Sequence, residues 1–187
     1  MRTLILKIRY MIQHSPNSLQ LACEMSNEKG KILQTFDKWG KTYKIEFDIT
    51  VDEAPIGEKR ANVFHFTNGG NCCLPGQRIP ALFIHKSGRF LVCNSELNKN
   101  GNLCKKYPIK YGHKYHFIIS QDSNGFFKIE IDGKLKYKAK NLTFQDYENV
   151  EAYVSDPWHL PFAGCLENFQ VSKGNNTSWQ FIHCTVG

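Results

Sequence analysis

Residues 63–93 constrain the fold more than any other part of the chain. Apolar, β-branched and aromatic side chains fill the stretches 63–66, 79–84 and 90–93. A polar, glycine-rich loop at 68–77 separates the first two stretches, and a Lys-Ser-Gly turn separates the last two. Short apolar runs broken by glycine turns at this spacing predict consecutive strands of an antiparallel sheet.

The remainder of the chain carries the same kind of signal. Residues 43–51 (YKIEFDITV) alternate strictly between apolar and polar side chains, which is typical of a strand with one buried face. Residues 126–131 (FFKIEI) run into an Asp-Gly dipeptide that favours a tight hairpin, and residues 150–155 and 165–171 have the composition of late strands. We therefore predict an all-β chain folded as an antiparallel, two-sheet jelly-roll sandwich.

Length and composition agree with one domain. The chain has 187 residues, of which 41% are hydrophobic and 13% aromatic, so a sandwich-sized core can form and disorder is not expected. We assign residues 23–187 to a single sandwich domain. Residues 1–22 are apolar but interrupted by Lys7 and Arg9, so we expect either a poor secretion signal or an additional strand there. No stretch is apolar over the length that a membrane-spanning helix needs.

Several of these segments resemble a known family. The sequences VFHFTNGGN, RIPALFIHKSGRFLVC, FFKIEIDGK and GCLENFQV look like strands of the laminin-G-like, concanavalin-A-like jelly roll, over about residues 36–172. The resemblance implies the same two-sheet sandwich. It leaves the function open, because that family includes adhesion modules, lectins, pentraxin-like proteins and glycosidases.

The cysteines indicate an oxidising compartment. They form no Cys-x-x-Cys pair, and the histidines show no ligand spacing, so disulfides explain them better than zinc. An odd number leaves one unpaired or linked between chains, and the pairing is open. Adjacent cysteines rarely bond each other, so we expect Cys72 and Cys73 to have different partners. The seven are Cys23, Cys72, Cys73, Cys93, Cys104, Cys165 and Cys184.

Position along the chain suggests some pairings. Cys93 and Cys104 bracket an asparagine-rich loop that they could close, or each could reach the adjacent cysteine pair. Cys23 and Cys184 could tie the two termini together. Sequons for N-glycosylation at Asn141, Asn175 and Asn176 agree with the cysteines. We expect a secreted, extracellular, disulfide-bonded glycoprotein.

Two loops are the expected ligand-binding region. The glycine-rich loop carries Asn68 and Asn71, and a proline-stiffened loop carries Trp158 and His159. An aromatic ring displayed on a stiff loop can stack on a sugar ring, or it can fold back and cap one end of the sandwich. The sequence leaves both alternatives open for Trp158.

A glycan-cleaving enzyme is the alternative function. Jelly-roll glycosidases place an acid and a nucleophile on one strand with the spacing E-x-D-x-x-E. Glu46 and Asp48 share a face of residues 43–51 and are the candidate catalytic pair, but Val51 occupies the third acidic position. A solvated strand face explains both carboxylates equally well. We therefore expect a protein that binds rather than catalyses.

The chain is basic, with a formal net charge of +7. Four lysines recur at every second position of one predicted strand, so we expect all four on one face, with Lys105, Lys106 and Lys128 as neighbours. Such a stripe would attract anionic polysaccharide, or it would protect a sheet edge from aggregation. No nucleic-acid recognition motif accompanies the charge. The four lysines of the stripe are Lys134, Lys136, Lys138 and Lys140.

Calcium is the one cofactor that the loops suggest. Its oxygen ligands would come from Asp122, Asn124 and Asp156, although their spacing matches no complete coordination loop. Turn chemistry explains the same residues without a metal. We conclude that the sequence predicts an extracellular recognition or adhesion module for glycan or matrix polysaccharide. A structural or toxin-like secreted component that binds another protein is a further alternative, and the oligomeric state is open.

Overall fold

A computed structural model of the chain describes the backbone of residues 19–21, and residues 29–97 and 103–174 in full. The described residues form no helix. Their strands, in chain order, are β1 (Leu19–Leu21), β2 (Ile32–Trp39), β3 (Tyr43–Val51), β4 (Arg60–Thr67), β5 (Ala81–His85), β6 (Arg89–Asn94), β7 (Leu103–Pro108), β8 (Lys114–Gln121), β9 (Phe126–Ile131), β10 (Lys134–Lys140), β11 (Tyr147–Val154), β12 (Leu160–Pro161) and β13 (Gly164–Lys173).

The strands form two sheets, which confirms the all-β, jelly-roll prediction. The six-stranded sheet has the order β1-β13-β3-β8-β9-β10, and the seven-stranded sheet has the order β2-β11-β4-β5-β6-β7. The short strand β12 adds to β4 in parallel, and the other pairings are antiparallel. Strands β4, β5 and β6 pair in sequence, as residues 63–93 predict.

The core between the sheets is rich in aromatic rings. Strand β3 buries every second side chain, as its alternating sequence predicts. The ring of Phe47 on β3 stacks on Phe117 of β8 at 5.3 Å and meets Phe64 of β4 edge-on at 5.4 Å. These contacts join the two sheets, because β3 and β8 belong to one and β4 to the other.

The outer face of the seven-stranded sheet is covered, which a sandwich of this kind does not require. All but the first residue of β4 are buried, so both faces of this strand lack solvent contact. Ala81, Phe83, Leu91 and Cys93 form a second, smaller apolar cluster apart from the main core. Phe83 of this cluster is covered by His159, one of the candidate ligand-binding residues, and by Arg78 and Arg60.

The N-terminal segment is described in one place. Residues 19–21 pair with β13 at the edge of the six-stranded sheet, with Leu19 opposite Val171. The remainder of residues 1–22 lies outside the described residues. The division of the chain at residue 22 stays a prediction.

Candidate functional site

The glycine-rich loop and the Trp158 loop meet on the covered face of the seven-stranded sheet. His65 on β4 joins them, because its two ring nitrogens contact one loop each. Nδ1 lies 2.8 Å from Asp156 Oδ2, and Nε2 lies 2.5 Å from the backbone oxygen of Gln77. His65 and Asp156 are both fully buried. Of the expected ligand-binding residues, Trp158 and His159 therefore lie against one buried polar centre.

Asp156 is the hub of that centre. Its Oδ1 accepts hydrogen bonds from the backbone amides of Trp158 at 3.1 Å and His159 at 2.9 Å, and from His159 Nδ1 at 2.9 Å. Burial alone would raise the pKa of Asp156, but the hydrogen bonds from His159 and His65 outweigh it and hold the pKa well below its usual range. Asp156 is thus an ionised carboxylate enclosed by donors. Its oxygens face hydrogen-bond donors, which agrees with the turn-chemistry alternative for this calcium candidate.

Trp158 covers the buried centre and is also partly exposed to solvent. Its ring lies 5.4 Å from the ring of His65 and 6.1 Å from that of Tyr153, so one part of it seals the buried centre. The side chain nevertheless remains 38% exposed. The backbone bond to Asp156 fixes the start of this turn. The two alternatives from the sequence, capping and display, are therefore both present in one side chain.

The glycine-rich loop is held from inside. Arg78 is buried, and its Nε and Nη2 donate to the backbone oxygen of Asn71 at 2.8 Å and to Asn71 Oδ1 at 3.1 Å. Gly76 is required, because its φ is +85° and a Cβ there would collide with the side chain of Asn68. Asn71 consequently serves as an acceptor for Arg78, whereas Asn68 is exposed on the loop surface.

The two adjacent cysteines of this loop bond each other. A disulfide joins Cys72 and Cys73. The expectation that they have different partners is wrong. Cys73 has a positive φ of 82°, and no other described cysteine lies on this loop.

Sequence reasoning missed the cations that lie under these loops. The guanidinium groups of Arg78 and Arg60 lie 4.9 Å and 5.5 Å from the ring centre of Phe83, and the ring of His159 lies 4.9 Å from it. Burial, with the charge of Arg60, lowers the pKa of Arg78 to about 10. The available signal was the pair of polar residues, Asn62 and His65, between the apolar residues of β4.

The outer face of the six-stranded sheet carries a second cluster, which is open to solvent. His116 on β8 lies between the two candidate catalytic carboxylates, with Nδ1 2.8 Å from Asp48 Oδ1 and Nε2 3.3 Å from Glu46 Oε1. Asn168 Nδ2 donates to Asp48 Oδ2 at 2.7 Å, and Lys44 Nζ lies 2.6 Å from Glu46 Oε2. Glu46 and Asp48 do share one face, and His116 is the partner that sequence spacing could not reveal.

The basic stripe is broken by a bulge. Lys138 stands opposite the outward-facing Lys128, but the register shifts between residues 135 and 137, and Lys134 stands opposite the core residue Ile131. The expectation that all four lysines share one face is therefore wrong, since an extra residue reverses the alternation of side chains. Lys138 and Lys140 remain on the outer face over the ring of Phe126, at 4.4 Å and 5.5 Å.

The three predicted neighbours of the stripe do not all lie on its face either. Lys128 is opposite Lys138 and forms an ion pair with Asp122 at 2.8 Å. Lys105 reaches the strand from the other sheet, with Nζ 4.2 Å from the ring centre of Tyr137. Lys106 pairs in register with Leu91, a member of the second apolar cluster, and so belongs to the opposite face of the sandwich.

The remaining calcium candidates form a hydrogen-bonded turn. Asp122 Oδ1 accepts from the backbone amides of Asn124 and Phe126, each at 3.0 Å. The ion pair with Lys128, together with these amides, lowers the pKa of Asp122. Among the described residues, no group of three or more His, Cys, Asp or Glu side chains is arranged to hold a metal ion.

Asn141 is buried, contrary to its assignment as a glycosylation site. It is 5% exposed, and its Nδ2, the atom that would carry the glycan, donates to Glu96 Oε2 at 2.9 Å and to Gln121 Oε1. The folded chain has no room for a glycan on that atom. The other two sequons, at Asn175 and Asn176, lie outside the described residues.

Asn141 belongs to a second buried polar centre around Glu96. Burial raises the pKa of this carboxyl to about 7. Tyr147 and Tyr43 lie nearby, and burial together with the neighbouring Glu96 carboxyl raises the pKa of both hydroxyl groups well above its usual value. Unlike Asp156, Glu96 has neutral partners.

The other disulfides agree with one alternative from the sequence. Cys93 and Cys104 are bonded across β6 and β7 and close the asparagine-rich loop. Cys165 is also disulfide-bonded. Cys23 and Cys184, which were expected to tie the termini together, lie outside the described residues. No helix within the described ranges is long and apolar enough to span a membrane.

Comparisons with known proteins agree with this architecture. No protein-family profile and no curated protein matches the sequence. A family 7 alginate lyase, A1-II', matches with a TM-score of 0.52 and 15% identity over 76% of this chain and 66% of its own. A SAP-like pentraxin from Limulus polyphemus matches with a TM-score of 0.51 and 11% identity, over 82% of this chain and 74% of its own. A Trypanosoma rangeli sialidase matches with 0.52 and 12%, over 72% of this chain but 21% of its own. At these identities the likeness shows the fold alone.

Proposed function

We propose that the protein is an extracellular recognition module that binds carbohydrate at the surface formed by Trp158 and the glycine-rich loop. One observation carries the proposal. Trp158 keeps 38% of its surface exposed while the layer beneath it, His65 and Asp156, is fully buried and hydrogen-bonded. An aromatic ring held in this way is a platform that a ligand does not have to order.

The chemistry of the surroundings suits a sugar. The C–H face of a pyranose ring packs against an indole ring, and its hydroxyl groups need donors and acceptors at the edge. Asn68 on the neighbouring loop is exposed, and His159 lies beside Trp158 in sequence. Carbohydrate-acting and carbohydrate-bound proteins among those of similar fold are consistent with this ligand class.

An extracellular location has independent support. The Cys72–Cys73 and Cys93–Cys104 disulfides would be reduced in an ordinary cytosol. Secretion and a matrix or glycan partner follow as part of the proposal.

A glycan array tests the proposal. The wild-type chain, Trp158→Ala and Tyr111→Ala are compared with and without calcium. We expect Trp158→Ala to weaken binding at least tenfold, because the platform is lost. Tyr111 is 42% exposed and lies on the turn after β7, so Tyr111→Ala is a control of similar size and exposure. Equal glycan binding by the wild type and Trp158→Ala would contradict the proposal. Absence of binding to every glycan, in a chain that does bind a protein, would contradict it as well.

A glycan-cleaving activity is the second candidate, and the position of His116 favours it. A histidine within reach of two carboxylates on an open face can exchange protons with a bound substrate. Release of reducing ends from neutral and acidic polysaccharides, abolished by His116→Gln and Glu46→Gln but retained by Lys114→Gln, would establish it. No release from any polysaccharide, with intact binding, would exclude it.

A further inference from the structure

His65 occupies an unusual position between two loops that are far apart in sequence. Its ring is fully buried, with Gln77 of the glycine-rich loop on one side and Asp156 of the Trp158 loop on the other. Trp158 lies on the same ring at 5.4 Å. His65 thus gives the two loops a shared polar contact across β4.

The partners of the ring define its hydrogens. A backbone carbonyl can only accept a hydrogen bond, so Nε2 carries a hydrogen toward Gln77. An ionised carboxylate can also only accept, and Asp156 is held in that form by its donors. Nδ1 must then carry a hydrogen as well. Both contacts exist together only when His65 is the positively charged imidazolium.

We propose that His65 is a protonation-dependent clasp that holds the glycine-rich loop and the Trp158 loop together in acid and releases them as the pH rises. The inference rests on the proposed function, since these loops carry the proposed carbohydrate surface. It adds the regulation of that surface. His65 is a positioning residue, because it acts through Trp158 and does not face the ligand.

The charges around the His65 ring make both of its contacts depend on whether the ring is protonated. Asp156 supplies the negative charge that the imidazolium contacts. His159 also donates to Asp156, and Arg60 and Arg78 flank Phe83, whose ring lies 6.0 Å from that of His65. Asp156 thus contacts both histidine rings, and its charge also acts on Arg78. A neutral ring would turn a lone pair toward either a carbonyl or a carboxylate oxygen, and one of the two contacts would be lost.

The expected pH range follows from the signs of these groups. The ring contacts both loops while it is an imidazolium, and one of the two contacts is lost when base removes a proton from it. The pKa of Asp156 is depressed, so its contribution is present above about pH 4, where a free aspartate ionises, and fades only in stronger acid. Binding should therefore weaken as the pH rises, and we expect at least a tenfold loss of affinity from pH 5.5 to pH 8.

NMR of the full, unliganded chain tests the clasp without a sugar. Long-range ¹H–¹⁵N spectra of the His65 ring should show both nitrogens protonated at pH 5.5. As the pH rises, loss of one hydrogen should share its midpoint with shifts of the Trp158 indole and Gln77 amide signals. A neutral His65 ring at pH 5.5, or Trp158 signals that ignore the titration, would overturn the proposal.

The substitution Asp156→Asn reverses the logic of the contact. An amide N–H facing Nδ1 fits the neutral ring, while the amide oxygen still accepts from the backbone at Trp158 and His159. In D156N the loops should stay joined at pH 8 and separate in acid. His113→Gln, an exposed histidine on the turn before β8, should leave the wild-type profile unchanged. A D156N profile identical to that of the wild type would overturn the clasp.

Two further outcomes separate the clasp from the proposed function. If D156N does not fold, His65→Gln replaces it, and the Trp158 signals of H65Q should no longer respond between pH 5.5 and 8. A response that persists in H65Q would exclude His65 as the cause. If no glycan binds but the coupled transition is seen, the clasp stands and the proposed function fails. If glycan binding requires Trp158 but does not change with pH, the function stands and the clasp fails.

Discussion

Each outer face of the sandwich carries a histidine–aspartate pair, and the two pairs differ in their surroundings. On the seven-stranded sheet, His65 and Asp156 are fully buried, whereas on the six-stranded sheet His116 and Asp48 keep 43% and 19% of their side-chain surface. The nitrogen–oxygen distance is 2.8 Å in both pairs. Distance alone therefore says little about the role of an ion pair. A buried pair orders the structure around it, and an open pair stays accessible to ligands and to solvent.

Removing the aspartate of each pair should give the largest difference in stability between the two faces. Asp156→Ala leaves a buried imidazolium and two backbone amides without their acceptor, so we expect a loss of about 3–5 kcal/mol in the free energy of unfolding. Asp48→Ala exposes its partner to water, and the loss should stay below about 1 kcal/mol. Urea unfolding of both variants at pH 6 measures this difference. Equal losses would show that burial does not distinguish the faces.

Disulfides sharpen the comparison on the covered face. Cys93 and Cys104 lie 11 residues apart, so their bond restricts the unfolded chain, and replacing both by Ala should cost about 3 kcal/mol. Cys72 and Cys73 are adjacent and close no loop. The double Cys72→Ala, Cys73→Ala variant should lose less than about 1 kcal/mol and is the matched control. Similar losses in the two double variants, measured by urea unfolding under oxidising conditions, would contradict the chain-entropy explanation.

Two buried carboxyls extend the comparison to pH. Asp156 has positively charged partners and a depressed pKa, whereas Glu96 has amide partners and a pKa raised to about 7. A raised carboxyl pKa means that the folded state binds the proton more tightly. Stability from this group is present below about pH 4.5 and is lost as the pH rises through 7, by on the order of 3 kcal/mol. Glu96→Gln should reduce the fall in the free energy of unfolding between pH 5 and pH 8, as measured by urea unfolding. An unchanged fall would exclude Glu96 as its source.

The smallest effect on stability is expected at the edge of the six-stranded sheet. Lys138 and Lys140 are exposed, and their removal should change the free energy of unfolding by less than about 0.5 kcal/mol. If this edge attracts anionic polysaccharide, the Lys138→Ala, Lys140→Ala variant should elute from heparin at lower salt. Lys134 lies beyond the bulge, and Lys134→Ala should have a weaker effect. Equal effects of the two changes would mean that total charge matters and the arrangement of the lysines does not.

Local sequence predicted the elements well where one physical rule decides the outcome. The strict alternation of residues 43–51 became a strand with one buried face, because a strand's side chains point alternately to its two sides. The same rule failed for the lysines of β10, where the bulge adds one residue and reverses the faces. It also missed the cover on the seven-stranded sheet, since burial of β4 on both sides depends on loops from elsewhere in the chain.

The candidate site was predictable in parts and not as a whole. Trp158 and Asn68 stood out because stiff or glycine-rich loops display such side chains. His65 did not stand out, since a single histidine in an apolar strand carries no spacing signal. Its role depends on Gln77, 12 residues away, and Asp156, 91 residues away. The sequon at Asn141 misled for the same reason, because a three-residue motif contains no information about burial by Glu96 and Gln121.

The sequence by itself determined that this chain is an all-β sandwich, because the alternation of apolar side chains and the positions of glycine are local properties of strands and turns. The tertiary structure alone decided which polar residues became buried partners and which stayed at the surface. Two histidine–aspartate pairs with the same separation differ in that respect, since hydration of a charge depends on everything packed around it. That difference places a buried centre under Trp158 and leaves Glu46, Asp48 and His116 open to solvent.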